Sequence, residues 1–113
     1  MLKSIPELVQ TIRLQLRCIS AEEARVERLT NEGVLIDVRE PQEYAEQGAE
    51  DAINIPRGIL EMQALARFTD AKQPLYVHCA TGARATLAAE QLQRLGYENV
   101  SVITCDLSAV CHT

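Results

Sequence analysis

Cys79 and Arg84 are the residues of this chain whose types and spacing most directly offer chemistry. They stand in VHCATGARA (77–85), separated by the four small residues Ala80, Thr81, Gly82 and Ala83. PLYV before the cysteine reads as a buried strand, and TLAAEQLQRLG after the arginine reads as a helix with a glycine stop. A loop of small residues between a strand and a helix N-terminus can turn successive backbone N–H groups inward as a nest for an anion. Gly82 can supply a positive φ in such a loop. A cysteine facing those dipoles is stabilised as the thiolate, its nucleophilic form. Arg84, always charged, then supports the anionic loop or its substrate. Taken alone, the same pattern also fits a buried cysteine at a strand end followed by an ordinary turn, so the surroundings decide.

Those surroundings must bring a strand end and a helix start together. IPELVQTIRLQL places Ile5, Leu8, Val9, Ile12 and Leu16 on one helical face, predicting an N-terminal helix over about 5–16. RCIS reads as a short strand, with Cys18 in the core. SAEEARVERLTNEG opens with Ser20 and Glu23 in capping-box spacing and closes at Gly33, the expected residue just past the helix end. VLIDV (34–38) is a short apolar run suited to a strand buried on both faces. PQEYAEQ has a helix-start proline and an acidic first turn, and AINIP is a third strand. GILEMQALARF reads as a helix with Ile59, Met62, Leu65 and Ala66 on one side. PLYVH is the fourth strand, 84–95 a helix ending at Gly96, and NVSVI a fifth strand. Strands alternating with helices over short connections give an α/β domain with a mostly parallel sheet. Ligands of such sheets sit at the carboxyl ends of the strands, where Asp37 and Cys79 both fall.

Composition sets outer bounds. At 113 residues the chain has the length of one domain, and 47% hydrophobic residues with only 4% aromatics imply a core of Leu, Ile, Val and Ala. The net charge of −5 opposes a nucleic-acid partner, which needs a basic face, while leaving small anions open. No run reaches the roughly 18 apolar residues of a membrane span. Pro6, Glu7 and Gln10 interrupt what would be a secretory apolar region, and Glu7 with little Ser opposes an organelle presequence. The four cysteines, Cys18, Cys79, Cys105 and Cys111, have no CxxC spacing and read as reduced thiols, so a cytoplasmic location is expected.

IDVREPQEYAEQGAEDAINIP followed by YVHCATGARA resembles the rhodanese-like family of sulfurtransferases, in three motifs in the right order over about residues 18–103. The resemblance implies a five-stranded parallel sheet with helices on both faces, here with an extra N-terminal helix, and one domain over 1–113. It implies that Cys79 takes sulfane sulfur from thiosulfate or a persulfide and passes it to cyanide or a thiol. The N–H groups of Ala80, Thr81, Gly82, Ala83 and Arg84 would hold the persulfide. Arg84 would pair with Asp37 or Glu43, and Arg39 would either meet the donor anion or serve as a structural ion-pair partner. Partners are then a small sulfur-donor anion or persulfide and a protein thiol acceptor, with no nucleic acid, membrane, metal or organic cofactor. Related phosphatases use C-x5-R; the loop here is one residue shorter, a pocket for a sulfur atom rather than a phosphoryl group. The alternatives are a non-catalytic binding or sensing module and a Cys-based phosphatase or arsenate reductase.

Three departures stand out. Gly48 occupies a place where relatives often carry a structural His. No basic residue lies between Cys79 and Arg84, which predicts poor affinity for a dianionic donor. The tail ITCDLSAVCHT shortens or lacks the usual terminal helix, whose surface the N-terminal helix is expected to cover. Cys105, after the fifth strand, falls on the same sheet edge as Cys79 and is a candidate second thiol, able to resolve a persulfide or pair with Cys79 or Cys111; a thiol without consequence is the plainer reading. Cys111 and His112 lack further ligands for a metal site. Strand alternation turns His78 away from Cys79 and toward packing. Tyr44 reads as helix packing.

Overall fold

The apolar runs form five strands, β1 (Arg17–Ile19), β2 (Val34–Asp37), β3 (Ala52–Asn54), β4 (Leu75–His78) and β5 (Val100–Ile103). The computed structural model describes residues 1–112. All five strands are parallel, in the order β1-β5-β4-β2-β3. Chain order thus runs outward from β2 to β3 on one side and from β4 to β5 on the other. The loops after β2 and β4 diverge, which opens a crevice at their carboxyl ends. Asp37 ends β2, and Cys79 directly follows β4.

Alternation along the strands divides the core into two layers. Ile36, Val38, Leu75, Val77, Cys79 and Val102 point to one face. Packed there are Ile12 of α1 (Ile5–Arg13), Leu60 and Ala64 of α4 (Leu60–Arg67), and Ala85, Ala88 and Leu92 of α5 (Ala83–Leu95). Leu35, Tyr76 and Ile103 point the other way, against Ala21 and Ala24 of α2 (Ala21–Asn31) and Val110 of α6 (Leu107–Cys111). The short α3 (Pro41–Glu46) bridges β2 and β3. Burial on both faces is why the strands read as unbroken apolar runs.

The caps follow the sequence in part. Ser20 and Glu23 form the capping box of α2, and Gly96 ends α5 at φ 111. The left-handed residue after α2, however, is Glu32 at φ 56, not Gly33. Gly33 is needed for clearance: a Cβ there would lie 2.5 Å from Cε2 of Tyr76. Gly48 likewise makes room for the Tyr44 ring, 2.6 Å from where its Cβ would be.

Four expectations are corrected. Cys18 is exposed, because β1 is an edge strand that buries only Ile19. The helix 57–67 buries Leu60 and Ala64, and leaves Ile59, Met62, Leu65 and Ala66 outside. A 3-10 turn at Arg57–Ile59 starts that helix and sets its rotation. Helix α1 stops at Arg13; Val9, Ile12 and Leu16 of its stripe are buried, while Ile5 and Leu8 reach past the cover given by α5. Finally, α1 packs on α5 whereas α6 packs on α2, so the two terminal helices cover opposite faces of the sheet.

Candidate active site

Cys79 leaves β4 at the centre of the sheet, 1% exposed, with its side chain on the α5 face. The loop then turns at Gly82, φ 103, into α5. A helix start leaves its first amides without helical acceptors. Here the Gly82 N–H donates to Cys79 Sγ at 3.0 Å and the Ala85 N–H donates to it at 3.4 Å. Two main-chain N–H groups at a helix N-terminus therefore converge on the sulfur. Ala80, Thr81 and Ala83 complete the loop, and the Ala80 carbonyl accepts from the Leu107 N–H at 2.8 Å, tying the loop to α6.

Of the two acids offered by the DVREPQEY segment, Glu43 is the one that meets Arg84. The guanidinium forks onto the carboxylate, Nη1 to Oε2 at 2.8 Å and Nη2 to Oε1 at 3.1 Å. Glu43 sits in the first turn of α3, where the Glu40 N–H also donates to it at 2.9 Å. Those bonds, Arg84 first, hold its carboxyl down at about 2. Both side chains stay partly open, 40% and 37% exposed, so the pair lies at the rim.

Asp37 is committed elsewhere. It is fully buried and takes a fork from Arg39, with Nη2 to Oδ2 at 2.7 Å and Nε to Oδ1 at 3.0 Å. Arg39 is 3% exposed and donates further to the carbonyls of Gln47 and Glu43. Asn54 pins the same segment, donating from Nδ2 to the carbonyls of Asp37 and Arg39. Of the two roles expected for Arg39, the contacts its guanidinium makes are those of a structural ion pair.

His78 is the β-sheet neighbour of Asp37 and points away from Cys79, on the opposite face. Its Nδ1–H donates to the Cys79 carbonyl at 3.3 Å, while Nε2 lies 3.8 Å from Asp37 and has no hydrogen-bond partner among the described residues. Burial, outweighing the attraction of Asp37, pushes its pKa down. Cys105 is not grouped with Cys79: it accepts from the Ala21 N–H at 3.3 Å and packs with the layer on the α2 face. All four cysteines are free thiols.

Two residues at the loop were not singled out from sequence. Arg13, in the last turn of α1, donates from Nε to Thr86 Oγ1 at 3.0 Å, and Thr86 donates to the Gly82 carbonyl at 2.8 Å. Arg13 Nη2 lies 2.6 Å from where a Cβ of Gly82 would stand. The only sequence signal was the placing of Arg13 beside Ile12, at the edge of the apolar stripe. Hollows of about 450 Å³ between α2 and α6, 490 Å³ beside Tyr76 and 390 Å³ beside Tyr97 are not lined by the loop. Among the described residues no cluster of His, Cys, Asp or Glu is placed to hold a metal ion, and no helix is long and apolar enough to cross a membrane.

A family model described as the Rhodanese-like domain matches residues 20–113. The chain belongs to the rhodanese-like domain family. A Schizosaccharomyces pombe protein named as a candidate mitochondrial thiosulfate sulfurtransferase is 33% identical over 82 residues; the match covers 63% of this chain and 58% of that protein. The rhodanese-like chain thus matches little more than half the length of that relative. The fold is shared with a Rhodopseudomonas palustris protein of unknown function described as a possible tyrosine phosphatase, at TM-score 0.83, 21% identity, and coverage of 97% of this chain and 90% of that one. It is also shared with a human single-domain sulfurtransferase, at TM-score 0.71, 22% identity, and coverage of 85% and 96%.

Proposed function

We propose that residues 1–113 form one rhodanese-like domain that transfers sulfane sulfur through a persulfide on Cys79. The observation that carries this reading is the convergence of the Gly82 and Ala85 amides on Cys79 Sγ inside a loop of four residues closed by Arg84. With thiosulfate as donor, the Cys79 thiolate attacks the outer sulfur. A new S–S bond forms, the donor S–S bond breaks, and its electron pair leaves with sulfite. The terminal persulfide anion stays within reach of the same amides. An acceptor nucleophile, cyanide or a thiolate, then attacks that outer sulfur and returns Cys79 as thiolate. This is nucleophilic covalent catalysis with electrostatic stabilisation. Arg84, clamped by Glu43, closes the loop. The loop is one residue shorter than a C-x5-R phosphate cradle, which supports sulfur over phosphoryl transfer. Four free thiols suit a reducing compartment such as the cytoplasm.

Intact-protein mass spectrometry after incubation with thiosulfate tests this. Wild type should gain one sulfur, lose it on adding cyanide, and Cys79→Ala should gain none. Absence of the gain in wild type, with glutathione persulfide as well as thiosulfate, would sink the reading.

A further inference from the structure

The approach of an anionic donor to a thiolate brings like charges together, so a donor site needs a cation that is free to meet it. The loop offers none of its own: Ala80, Thr81, Gly82 and Ala83 are uncharged, and the charge of Arg84 is already matched by Glu43. Seven of the nine arginines are ion-paired with a carboxylate. Among the described residues, Arg13 and Arg67 are the two that are not. Arg67 ends α4, whereas Arg13 stands against the loop.

Resting on the sulfur-transfer reading above, we propose that Arg13 is the anion-binding residue of the sulfur-donor site, contributed by the N-terminal helix rather than by the loop. Its placement is built. Nε–H donates to Thr86 Oγ1 at 3.0 Å, and Thr86 in turn donates to the Gly82 carbonyl at 2.8 Å, so one end of the guanidinium is anchored on the first turn of α5. That anchor leaves Nη2 beside Gly82, the residue whose own amide bonds the Cys79 sulfur. Glycine at this position serves two purposes, the φ of 103 and the clearance for the guanidinium, since a Cβ would meet Nη2 at 2.6 Å. Arginine suits the task because its planar fork keeps Nη donors for a second partner while Nε is engaged. The donor class is therefore a small anion that carries its negative charge next to the transferable sulfur, such as a thiosulfonate-type ion.

The test separates this claim from sulfur transfer itself. Cys79 is alkylated with iodoacetate, an anion, and with iodoacetamide, its neutral counterpart, and the modified peptide is quantified in wild type, Arg13→Gln, Arg13→Met and Arg13→Lys. Each reaction forms a C–S bond and releases iodide, so only the charge of the reagent differs. The iodoacetate-to-iodoacetamide rate ratio at Cys79 should fall about tenfold in the Gln and Met variants, the loss of one charge-assisted contact, and return toward wild type with Lys. In parallel, KM for thiosulfate should rise by a similar factor with kcat changed less. In wild type, added salt should lower the ratio, a readout that needs no variant. An unchanged ratio in folded Gln and Met variants, or no salt effect in wild type, overturns the proposal. If wild type never acquires sulfur, the sulfur-transfer reading fails while the alkylation ratio still judges Arg13.

Discussion

Glu43 shows how one carboxylate can serve a helix and a loop together: it accepts the Glu40 amide at the start of α3 and clamps Arg84 at the start of α5. Its value of about 2, against 4.5 in an unperturbed chain, carries a pH signature. A depressed carboxyl contributes stability that is present above 4.5 and is lost as pH falls toward 2. Because both partners are more than a third exposed, the contribution is at most about 1 kcal/mol. Glu43→Gln should therefore lower the stability measured by urea denaturation at pH 7 by up to about 1 kcal/mol, and the gap to wild type should shrink from pH 4.5 downward and close below about 2. A gap that persists in acid would mean that the lost interaction is not the ion pair. The residue scale is also where sequence reading was sharpest and where it stopped. The strand end before Cys79 and the helix start beside Arg84 are legible because their spacing is local. The choice between Asp37 and Glu43 is not, since both lie in one acidic segment and only the burial of Arg39 beside Asp37 separates them. Arg13 was invisible as a loop residue because its partner Thr86 is 73 positions away.

Among the elements, start signals were legible because they are local chemistry: Ser20 with Glu23, and Pro6 and Pro41 in first turns. Rotation of a helix about its axis was less so. α4 offers two apolar faces, Leu60 with Ala64, and Met62 with Leu65 and Ala66. The second has more apolar surface, yet the first is buried, because the 3-10 turn at Arg57–Ile59 fixes the entry angle and α5 presents small alanines that accept Leu60. The consequence is an asymmetry that mutation can read. Leu60→Ala removes a fully buried side chain and should cost about 2–5 kcal/mol. Met62→Gln, at a position 71% exposed, should stay within about 0.5 kcal/mol of wild type. Urea midpoints at neutral pH compare the two. Equal losses would mean that the exposed face is covered in solution.

At the scale of the whole molecule, the alternation of apolar runs made a parallel sheet legible, but strand order depends on which loops diverge, and that is set by packing among distant elements. The order found places β2 beside β4 and so seats Asp37 next to His78 beneath the loop. This buried cluster ties global stability to pH. His78 is fully buried, its Nδ1–H occupied by the Cys79 carbonyl, its Nε2 without a hydrogen-bond partner among the described residues. Asp37 attracts a proton to it, and Arg39, already bonded to Asp37, repels one. Burial dominates, and the folded-state pKa falls below the ordinary 6.5. The unfolded chain therefore binds a proton that the folded chain refuses. Above pH 6.5 neither state is protonated and His78 adds no pH dependence. Below it, stability should fall as pH drops, by up to about 1.4 kcal/mol per pH unit until the folded-state pKa is reached. His78→Gln keeps a donor for the Cys79 carbonyl but cannot titrate, so its stability should be flat between pH 6.5 and about 5, the range above most carboxylate titration. Urea denaturation of both proteins across that range decides the matter. A parallel slope in the variant would assign the pH dependence to other groups and leave His78 a packing residue alone.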